Sequence, residues 1–259
     1  MRNLYIFAFF TMMVCMGCQW HLKPSDEAEA EQQVVIERFD RMESLYLSTG
    51  DIAALQQMKT AYPVQTRTLI EDVLKLGQVD ESDINTRFLM FFQDSTLQAL
   101  MRDVETQYTD IDDVNNDLNR AFKRLANMLP TVSLPTVYTQ IGSLDQSIVV
   151  GNGQLGISLD KYLGDDYPFY IRYGYTDEQR SMMTRQFIVP DCIGFFLLSL
   201  YPAPEDRVID HSAKIQYVVN KVIGRKVFKK PQVKAVESFM LHHPNTSVDA
   251  LLTSTDLIQ

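Results

Sequence analysis

The hydrophobic period of this chain changes twice along its length, and these changes constrain the fold more than any single motif. Before Pro130, apolar residues recur at spacings of three and four, as they do on the buried face of a helix. Between Thr136 and Leu159 they alternate and are often β-branched or aromatic, which predicts strands. After Tyr175 the helical spacing returns. The sequence therefore predicts an α+β fold, a mostly helical single domain with a small antiparallel sheet of about three strands near residues 136–160.

Apolar stripes and capping residues mark the helices of the first half. The first helix is predicted to start near Ala28 and to end at Gly50. Asp51 and Ser95 are predicted to cap two later helices, because their side-chain oxygens can accept from the free backbone N–H groups of a first turn. The apolar run 84–92 is predicted to be buried on most sides. The stripe of the first helix comprises Val35, Phe39, Met42 and Tyr46.

Turn and cap signals set the boundaries in the second half. Asn152-Gly153 is a residue pair typical of a two-residue hairpin. Thr176 and Gln179 have the spacing of a capping box at a helix start. Gly224 is predicted to end one of the helices that follow Tyr175, since glycine readily adopts the left-handed conformation common at helix C-termini.

The N-terminus predicts export. Arg2 precedes the apolar run Leu4–Gly17, which is shorter than the roughly 20 residues that a membrane-spanning helix needs. A basic start, a short apolar run and a small residue are typical of a signal peptide. Gly17-Cys18 resembles the bacterial lipobox, although Cys15 stands where leucine is usual. In the alternative interpretation the chain is simply secreted and Cys18 is incidental.

These features predict a signal peptide at residues 1–17, a lipid-attachment site at Cys18 that carries acyl chains such as palmitate, and a flexible tether at 18–30. A single domain is predicted at 31–259. Only Cys192 then remains as a free thiol, so no intramolecular disulfide can form, and its apolar neighbours predict that it is buried.

The charge balance argues against polyanionic partners. The formal net charge is −9 at pH 7, and the one basic cluster, Arg225–Lys230, is interpreted as a solvated face. Because neutralised phosphates supply most non-specific affinity for nucleic acid, we expect none to bind. The same argument disfavours electrostatic docking on anionic lipid. The predicted contact with the membrane is therefore made by the N-terminal acyl chains.

Two catalytic or binding motifs in the stretch Gly151–Tyr175 fail on their context. Its glycines match G-x-G-x-x-G, but the alternating pattern continues as a strand where a dinucleotide-binding loop requires a helix. Ser158 resembles the nucleophile of G-x-S-x-G, but Asp160 replaces the second glycine of that motif. The aromatic residues of Tyr167–Tyr175 are interpreted as packing residues, and a sugar- or peptide-binding lip stays open as an alternative.

No metal or cofactor site is predicted. The four histidines are His21, His211, His242 and His243, and none forms a pair with helical zinc-ligand spacing. Asp210 and His211 are expected to face solvent. A divergent metallohydrolase that uses carboxylates together with His211 is the enzymatic alternative. Asp160, Asp165 and Asp166 lack the spacing of an EF-hand, and the last two are interpreted as part of a turn.

Several segments together resemble the gliding-motility lipoprotein B (GldB-like) family of Bacteroidetes. The most specific is Leu159-Asp160-Lys161-Tyr162-Leu163-Gly164. The other resembling segments are Phe91–Asp94, Asn116–Arg124, Leu134–Thr139, Leu155–Ser158 and Arg185–Cys192. The family-motif candidates for site residues are Asp160, Tyr162, Gly164 and Asp191.

This resemblance implies a lipoprotein of the bacterial cell envelope. Because the sequence has no recognisable catalytic or metal motif, we expect the lipoprotein to be non-enzymatic, and we expect it in the outer membrane or on the periplasmic face of the inner membrane. It would act through an envelope protein partner, as an accessory of gliding motility or of the associated secretion machinery. The resemblance also implies a layout similar to zinc peptidases but without their metal motif, since the corresponding helix, 191–201, has no His or Glu. The chain departs from the family pattern after Gly224.

Overall fold

A computed structural model describes residues 33–254 of the chain. The predicted signal peptide, Cys18 and the predicted tether lie outside the described residues. Over the described range the chain is mostly helical with one small sheet, which confirms the α+β fold class. Of the helices in this range, none combines the length and the apolar character needed to cross a membrane.

The elements before residue 130 are one short strand and six helices. In chain order they are β1 (Ile36–Glu37), α1 (Phe39–Thr49), α2 (Ile52–Ala61), α3 (Pro63–Arg67), which continues into a π-helical turn (Thr68–Val73), α4 (Ile84–Phe91), α5 (Ser95–Gln107) and α6 (Asp112–Met128).

The elements after residue 130 are three strands followed by six helices. They are β2 (Thr136–Gln140), β3 (Ile148–Gly151), β4 (Gln154–Ser158), α7 (Pro168–Arg172), α8 (Asp177–Met182), α9 (Ile188–Leu200), α10 (Val208–Ile223), α11 (Pro231–His242) and α12 (Val248–Thr253). Short 3₁₀ turns at Leu159–Lys161 and Arg185–Phe187 precede α7 and α9.

The sheet differs in detail from the predicted three antiparallel strands. It has four strands in the order β1-β2-β4-β3, and β2 runs parallel to both β1 and β4. Only β3 and β4 are antiparallel, joined by the predicted hairpin, in which Asn152 and Gly153 both have positive φ (52° and 72°). In this strand order the hairpin places β3 at the edge of the sheet, and β4 pairs with β3 on one side and with β2 on the other.

The predicted helical start at Ala28 is wrong over the residues that the structure describes. Residues 33–35 are not helical, and Ile36 and Glu37 form strand β1 beside β2. The amide oxygens of Asn119 and Asn115 on α6 accept from the backbone N–H groups of Val34 and Ile36, at 3.2 and 2.9 Å. These distant acceptors and the pairing with β2 outweigh the local helical spacing. A stripe of apolar residues within one segment cannot reveal such distant partners.

Helix caps agree with the sequence at most positions. Gly50 and Gly224 end α1 and α10 in the left-handed conformation, and Asp51 caps α2 with its carboxylate. The capping box at the start of α8 is confirmed. The cap of α5 is Asp94 and not Ser95, since the Asp94 carboxylate accepts from the backbone N–H groups of Thr96 and Leu97.

The core lies between the sheet and its helices. Helix α1 packs on β2, while α9 packs on β3 and β4 and is covered in turn by α6 and α10. Cys192 on α9 is fully buried, as predicted, and the rings of Phe122 and Phe196 meet edge to face at 5.6 Å between α6 and α9. Helix α4 buries one side only, because Met90 is 63% exposed, so the expectation for run 84–92 is wrong for its outer face.

Candidate functional site

The parallel strands β1, β2 and β4 end at the same edge of the sheet. In open sheets that edge is where ligands commonly bind, because chain segments diverge there and leave a crevice. Three buried carboxyl groups lie close behind the strand ends, those of Asp40, Glu43 and Asp160. We use the name "corner" for the residues Gly142–Leu144 and Leu159–Gly164, which follow β2 and β4 at this edge.

Asp160 is the central residue of the corner and is fully buried. Its two carboxyl oxygens accept from the backbone N–H groups of Gly142 and Leu144, at 2.7 and 2.6 Å. Burial raises the pKa of this carboxyl, while the two backbone hydrogen bonds act in the opposite direction. The carboxyl group therefore connects the end of β4 to the loop that follows β2.

The loop that Asp160 holds is strained. Ser143 and Leu144 have φ values of 51° and 65°, a left-handed conformation that costs a residue with a Cβ roughly 1–2 kcal/mol. Two such residues in succession persist only where the surrounding contacts fix them. Strain of this kind is found at ligand-binding and catalytic sites more often than elsewhere, so the loop marks a candidate site.

Lys161 fixes the same loop from the other side. Its ammonium donates to the Leu144 carbonyl at 3.2 Å and to the Tyr175 hydroxyl at 2.9 Å. The Tyr175 hydroxyl donates to that carbonyl as well, at 2.9 Å. Lys161 belongs to the family motif and is only 9% exposed. Its two hydrogen bonds connect the loop to the turn that carries Tyr175.

Tyr162 and Asp191, two of the family-motif candidates, are in direct contact. The Tyr162 hydroxyl donates to Asp191 Oδ2 at 2.8 Å and so joins the corner to the first turn of α9. Burial raises the pKa of the Asp191 carboxyl to about 7, and the hydrogen bond from Tyr162 opposes this rise. The fourth candidate, Gly164, has a φ of 121° and donates its N–H to the Met183 carbonyl at 3.0 Å.

Glu43 and Asp40 were not singled out from the sequence. Glu43 Oε2 accepts from the Ile141 N–H at 2.9 Å, and Oε1 has no hydrogen-bond partner among residues 33–254. Burial, reinforced by the nearby carboxyls of Asp160 and Asp40, raises the pKa of Glu43 well above its usual range. Their positions in the sequence could have indicated that they are buried, because both acids lie on the face of α1 that also carries Phe39 and Leu47.

A cavity of about 390 Å³ lies against the strained loop. Its walls are the loop Ser143–Asp145, the start of α5, and the side chains of Tyr173 and Tyr175. From α5 come Thr96, Leu97 and Leu100. The lining combines leucine and tyrosine surfaces with a few hydroxyl groups and one carboxylate, and apolar walls with a few polar groups are typical of ligand-binding sites.

The motifs rejected from the sequence have structural roles. Ser158 is fully buried in β4 and accepts from the Gln140 side-chain amide at 3.2 Å, so its hydroxyl faces the interior. A Cβ on Gly142 would lie 2.8 Å from that hydroxyl, which explains the glycine. Gly156 lets the ring of Tyr138 cross β4, because a Cβ there would come within 2.6 Å of the ring.

His211 corrects the expectation that it faces solvent. It is 4% exposed, and its Nε2 lies 2.7 Å from the Tyr201 carbonyl, whereas the neighbouring Asp210 is exposed as expected. His242 and His243 are exposed at the end of α11, and His21 lies outside the described residues. Within 33–254 there is no group of three or more His, Cys, Asp or Glu residues that could hold a metal ion.

The aromatic residues after the corner divide into two sets. Tyr170 is fully buried and meets the rings of Tyr167 and Tyr175 edge to face, at 5.0 and 5.8 Å. Its hydroxyl donates to the Asp160 carbonyl and accepts from the Leu163 N–H. Tyr173 is 58% exposed and projects at the cavity. Packing therefore accounts for most of this stretch, and Tyr173 with Tyr175 forms the accessible lip.

Comparison with known proteins gives one match. No curated protein and no solved structure matches the chain, so the predicted layout similar to zinc peptidases stays a prediction. The family described as gliding motility protein GldB matches residues 21–226, which include the corner and the cavity. Because this match covers most of the 259 residues, the chain belongs to the GldB lipoprotein family of gliding-motility proteins of the cell envelope.

Proposed function

We propose that this chain is a non-enzymatic lipoprotein, anchored through acyl chains on Cys18, that serves gliding motility or the associated secretion machinery by holding a segment of an envelope protein partner. The segment would bind in the cavity between α5, the Ser143–Asp145 loop and the lip formed by Tyr173 and Tyr175. The family match supports the cell-envelope setting. The corner supports the binding role.

The observation that carries this proposal is the use made of the family motif. The side chains of Asp160 and Lys161 form hydrogen bonds with the backbone and the tyrosine side chain that shape one wall of the cavity. A wall held in a strained conformation before any ligand arrives reduces the conformational entropy lost on binding. The motif thus prepares a binding surface.

The same contacts argue against catalysis by the corner. A general acid or base must reach the reacting atoms, within hydrogen-bond distance or through one water. Asp160 is fully buried, and both of its carboxyl oxygens are engaged by backbone N–H groups. The hydrolase alternative relies on His211, which is buried and in contact with the Tyr201 carbonyl.

A photocrosslinking experiment in intact cells tests the binding role. A benzophenone amino acid replaces Tyr173 in the full-length chain, and a control variant carries it at Ile52, which is similarly exposed at 65% but lies on α2. We expect one discrete protein adduct from position 173 and none from position 52. Equal adducts at both positions, or no adduct at 173, would refute a partner site at the cavity. An adduct that glycosidases remove would favour the glycan-binding alternative.

The anchor is tested separately. Cys18→Ala should abolish incorporation of labelled palmitate and release the protein from the membrane fraction. Unchanged labelling would refute lipid attachment at Cys18. The control is Cys192→Ala, whose thiol is buried and should leave the label unaffected.

A further inference from the structure

Basic side chains converge at the C-terminal end of α10, although the chain as a whole has a net charge of −9. Two cavities of about 560 and 270 Å³ meet there and share Arg225. The larger one lies between α6, the start of α9 and the end of α10, and four arginines line it beside Asp113 and Asp117. The smaller one lies between α10 and α11 and is lined by five cationic side chains and a single carboxylate, Glu237.

Some of these cations are already paired. Arg185 binds both carboxylate oxygens of Asp113, Arg120 pairs with Asp117, and Lys226 pairs with Glu237 at 2.8 Å. These three pairs use all the carboxylates that line the two cavities.

Other cations at this place have no carboxylate within salt-bridge distance in the described part of the chain. Arg124 donates to the carbonyls of Val222 and Ile223 at the end of α10, and Arg225 donates to the Gln186 carbonyl at 3.2 Å. Lys221, Lys229 and Lys234 are exposed. We name Arg124, Lys221, Arg225, Lys229 and Lys234 together the "basic surface".

The smaller cavity has a shaped apolar floor. Tyr217 and Val233 are buried beneath it, and Phe228 lies at its side with its ring 6.4 Å from that of Phe187. The segment between α10 and α11 is held by Asn220. This side chain accepts from the N–H groups of Val227 and Phe228 and donates to the Phe228 carbonyl, all within 2.9 Å.

We propose that the basic surface binds an acidic peptide segment of a partner protein, one that carries an aromatic or aliphatic residue between its carboxylates. The carboxylates would meet the five cations and the apolar residue would enter the smaller cavity. Charge complementarity of this kind steers association and sets specificity. The site is separate from the cavity at the corner, so either proposal can fail alone.

The shape and the local charges favour a peptide over a lipid surface or a nucleic acid. The cations line concave sites, whereas a bilayer presents a flat array of headgroups. Asp113, Asp117 and Glu237 lie among the cations and interrupt the positive charge, so the surface lacks the continuous row of cations that a phosphate backbone would contact. The family match ends at residue 226, ahead of Phe228, Val233 and Lys234. Binding of the acidic segment is therefore a property that we assign to this chain and not to its family.

Fluorescence anisotropy tests the proposal with the full-length chain purified in detergent. The ligand is a fluorescein-labelled peptide of sequence EFEEFE, and QFQQFQ is its neutral match. We expect saturable binding of EFEEFE that weakens with added salt, and no binding of QFQQFQ. Lys229→Glu/Lys234→Glu should weaken binding about tenfold or more, which corresponds to the loss of about 1.4 kcal/mol.

The matched control is Lys59→Glu/Arg102→Glu, which changes the net charge equally on helices α2 and α5. This variant should keep the affinity of the wild type. Equal weakening in both double variants would show that only net charge matters and would overturn the proposal, as would failure of the wild-type chain to bind EFEEFE. The protein is also sedimented with vesicles that contain phosphatidylglycerol. Charge-dependent binding to these vesicles that EFEEFE does not compete with would overturn the peptide proposal and indicate a membrane surface as the ligand.

Discussion

The corner and the basic surface use charged side chains in opposite ways. At the corner, Asp160 and Lys161 are buried, and their side chains hydrogen-bond to the loop after β2 and to Tyr175. At the basic surface, Lys229 and Lys234 are exposed, and among the described residues no carboxylate lies within salt-bridge distance of them; the nearby Glu237 pairs with Lys226. The comparison separates charges that shape the fold from charges that are free to meet a partner.

The contrast also indicates what the charged residues of the family motif do. A buried carboxyl and a buried ammonium are expensive, so they survive only when hydrogen bonds compensate for the lost water. The chain supplies these hydrogen bonds from the strained loop and thereby fixes a cavity wall. Substitutions at the corner should therefore change stability, whereas substitutions at the basic surface should change binding.

The largest effect is expected from Asp160→Ala. The N–H groups of Gly142 and Leu144 lose their acceptors inside the protein, and the strained loop loses its main constraint. We expect the free energy of unfolding to fall by roughly 3–5 kcal/mol, since each buried unsatisfied group costs about 1–3 kcal/mol. Urea denaturation followed by circular dichroism measures this. The control, Asp145→Ala in the exposed part of the same loop, should change it little, and similar losses in both would contradict a special role of Asp160.

A smaller effect is expected from Gly142→Ala. The added methyl group would lie 2.8 Å from the buried Ser158 hydroxyl, so β2 and β4 would have to separate at the corner. Overpacking of this kind costs about 1–3 kcal/mol. Gly194→Ala is the matched control on α9, where the nearest atom to a new Cβ is 3.8 Å away. There alanine should stabilise the helix by roughly 0.5–1 kcal/mol, so opposite signs in the urea midpoints test the packing at the corner.

Asp191 gives the corner a pH dependence. Its pKa is raised from 3.8 to about 7 in the folded chain, so the folded state holds a proton that the unfolded state releases. The stability this proton gives is fully present below about pH 4 and is lost as pH rises through about 7. Thermal melts from pH 5 to 8 should show the melting temperature of the wild type falling relative to that of Asp191→Asn.

Tyr162→Phe sharpens the same test. It removes the hydrogen bond that opposes the rise in the pKa of Asp191, so the loss of stability should move to higher pH. A pH dependence that is identical in wild type, Asp191→Asn and Tyr162→Phe would show that Asp191 does not titrate in this window.

The parts of the fold that local residues decide were predictable from the sequence. The hairpin at Asn152-Gly153 and the helix end at Gly224 depend on backbone conformations that glycine and asparagine favour, and both are confirmed. Strand β1 was not predictable, because residues 36–37 take their partners from β2 and α6, about 80–100 positions away in the chain. Spacing within a segment carries no information about such partners.

The candidate site was predictable only in part. The resemblance led to Asp160, Tyr162, Gly164 and Asp191, but no local pattern indicates that Asp160 accepts from the loop after β2. The basic cluster Arg225–Lys230 was interpreted as a solvated face, because the sequence does not show which distant residues lie next to it. Arg124 lies on α6, and its approach to Gly224 depends on how α6 and α10 pack.

The smallest stability effect is expected from Lys229→Glu/Lys234→Glu, and this result matters most to the comparison. Both side chains are exposed and without carboxylate partners among residues 33–254, so the free energy of unfolding should change by less than about 0.5 kcal/mol. Urea midpoints of this variant and of Lys59→Glu/Arg102→Glu should therefore agree, while their affinities for EFEEFE differ. A large loss of stability in the first variant alone would mean that these lysines hold α10 against α11, and the basic surface would then be structural in the same way as the corner.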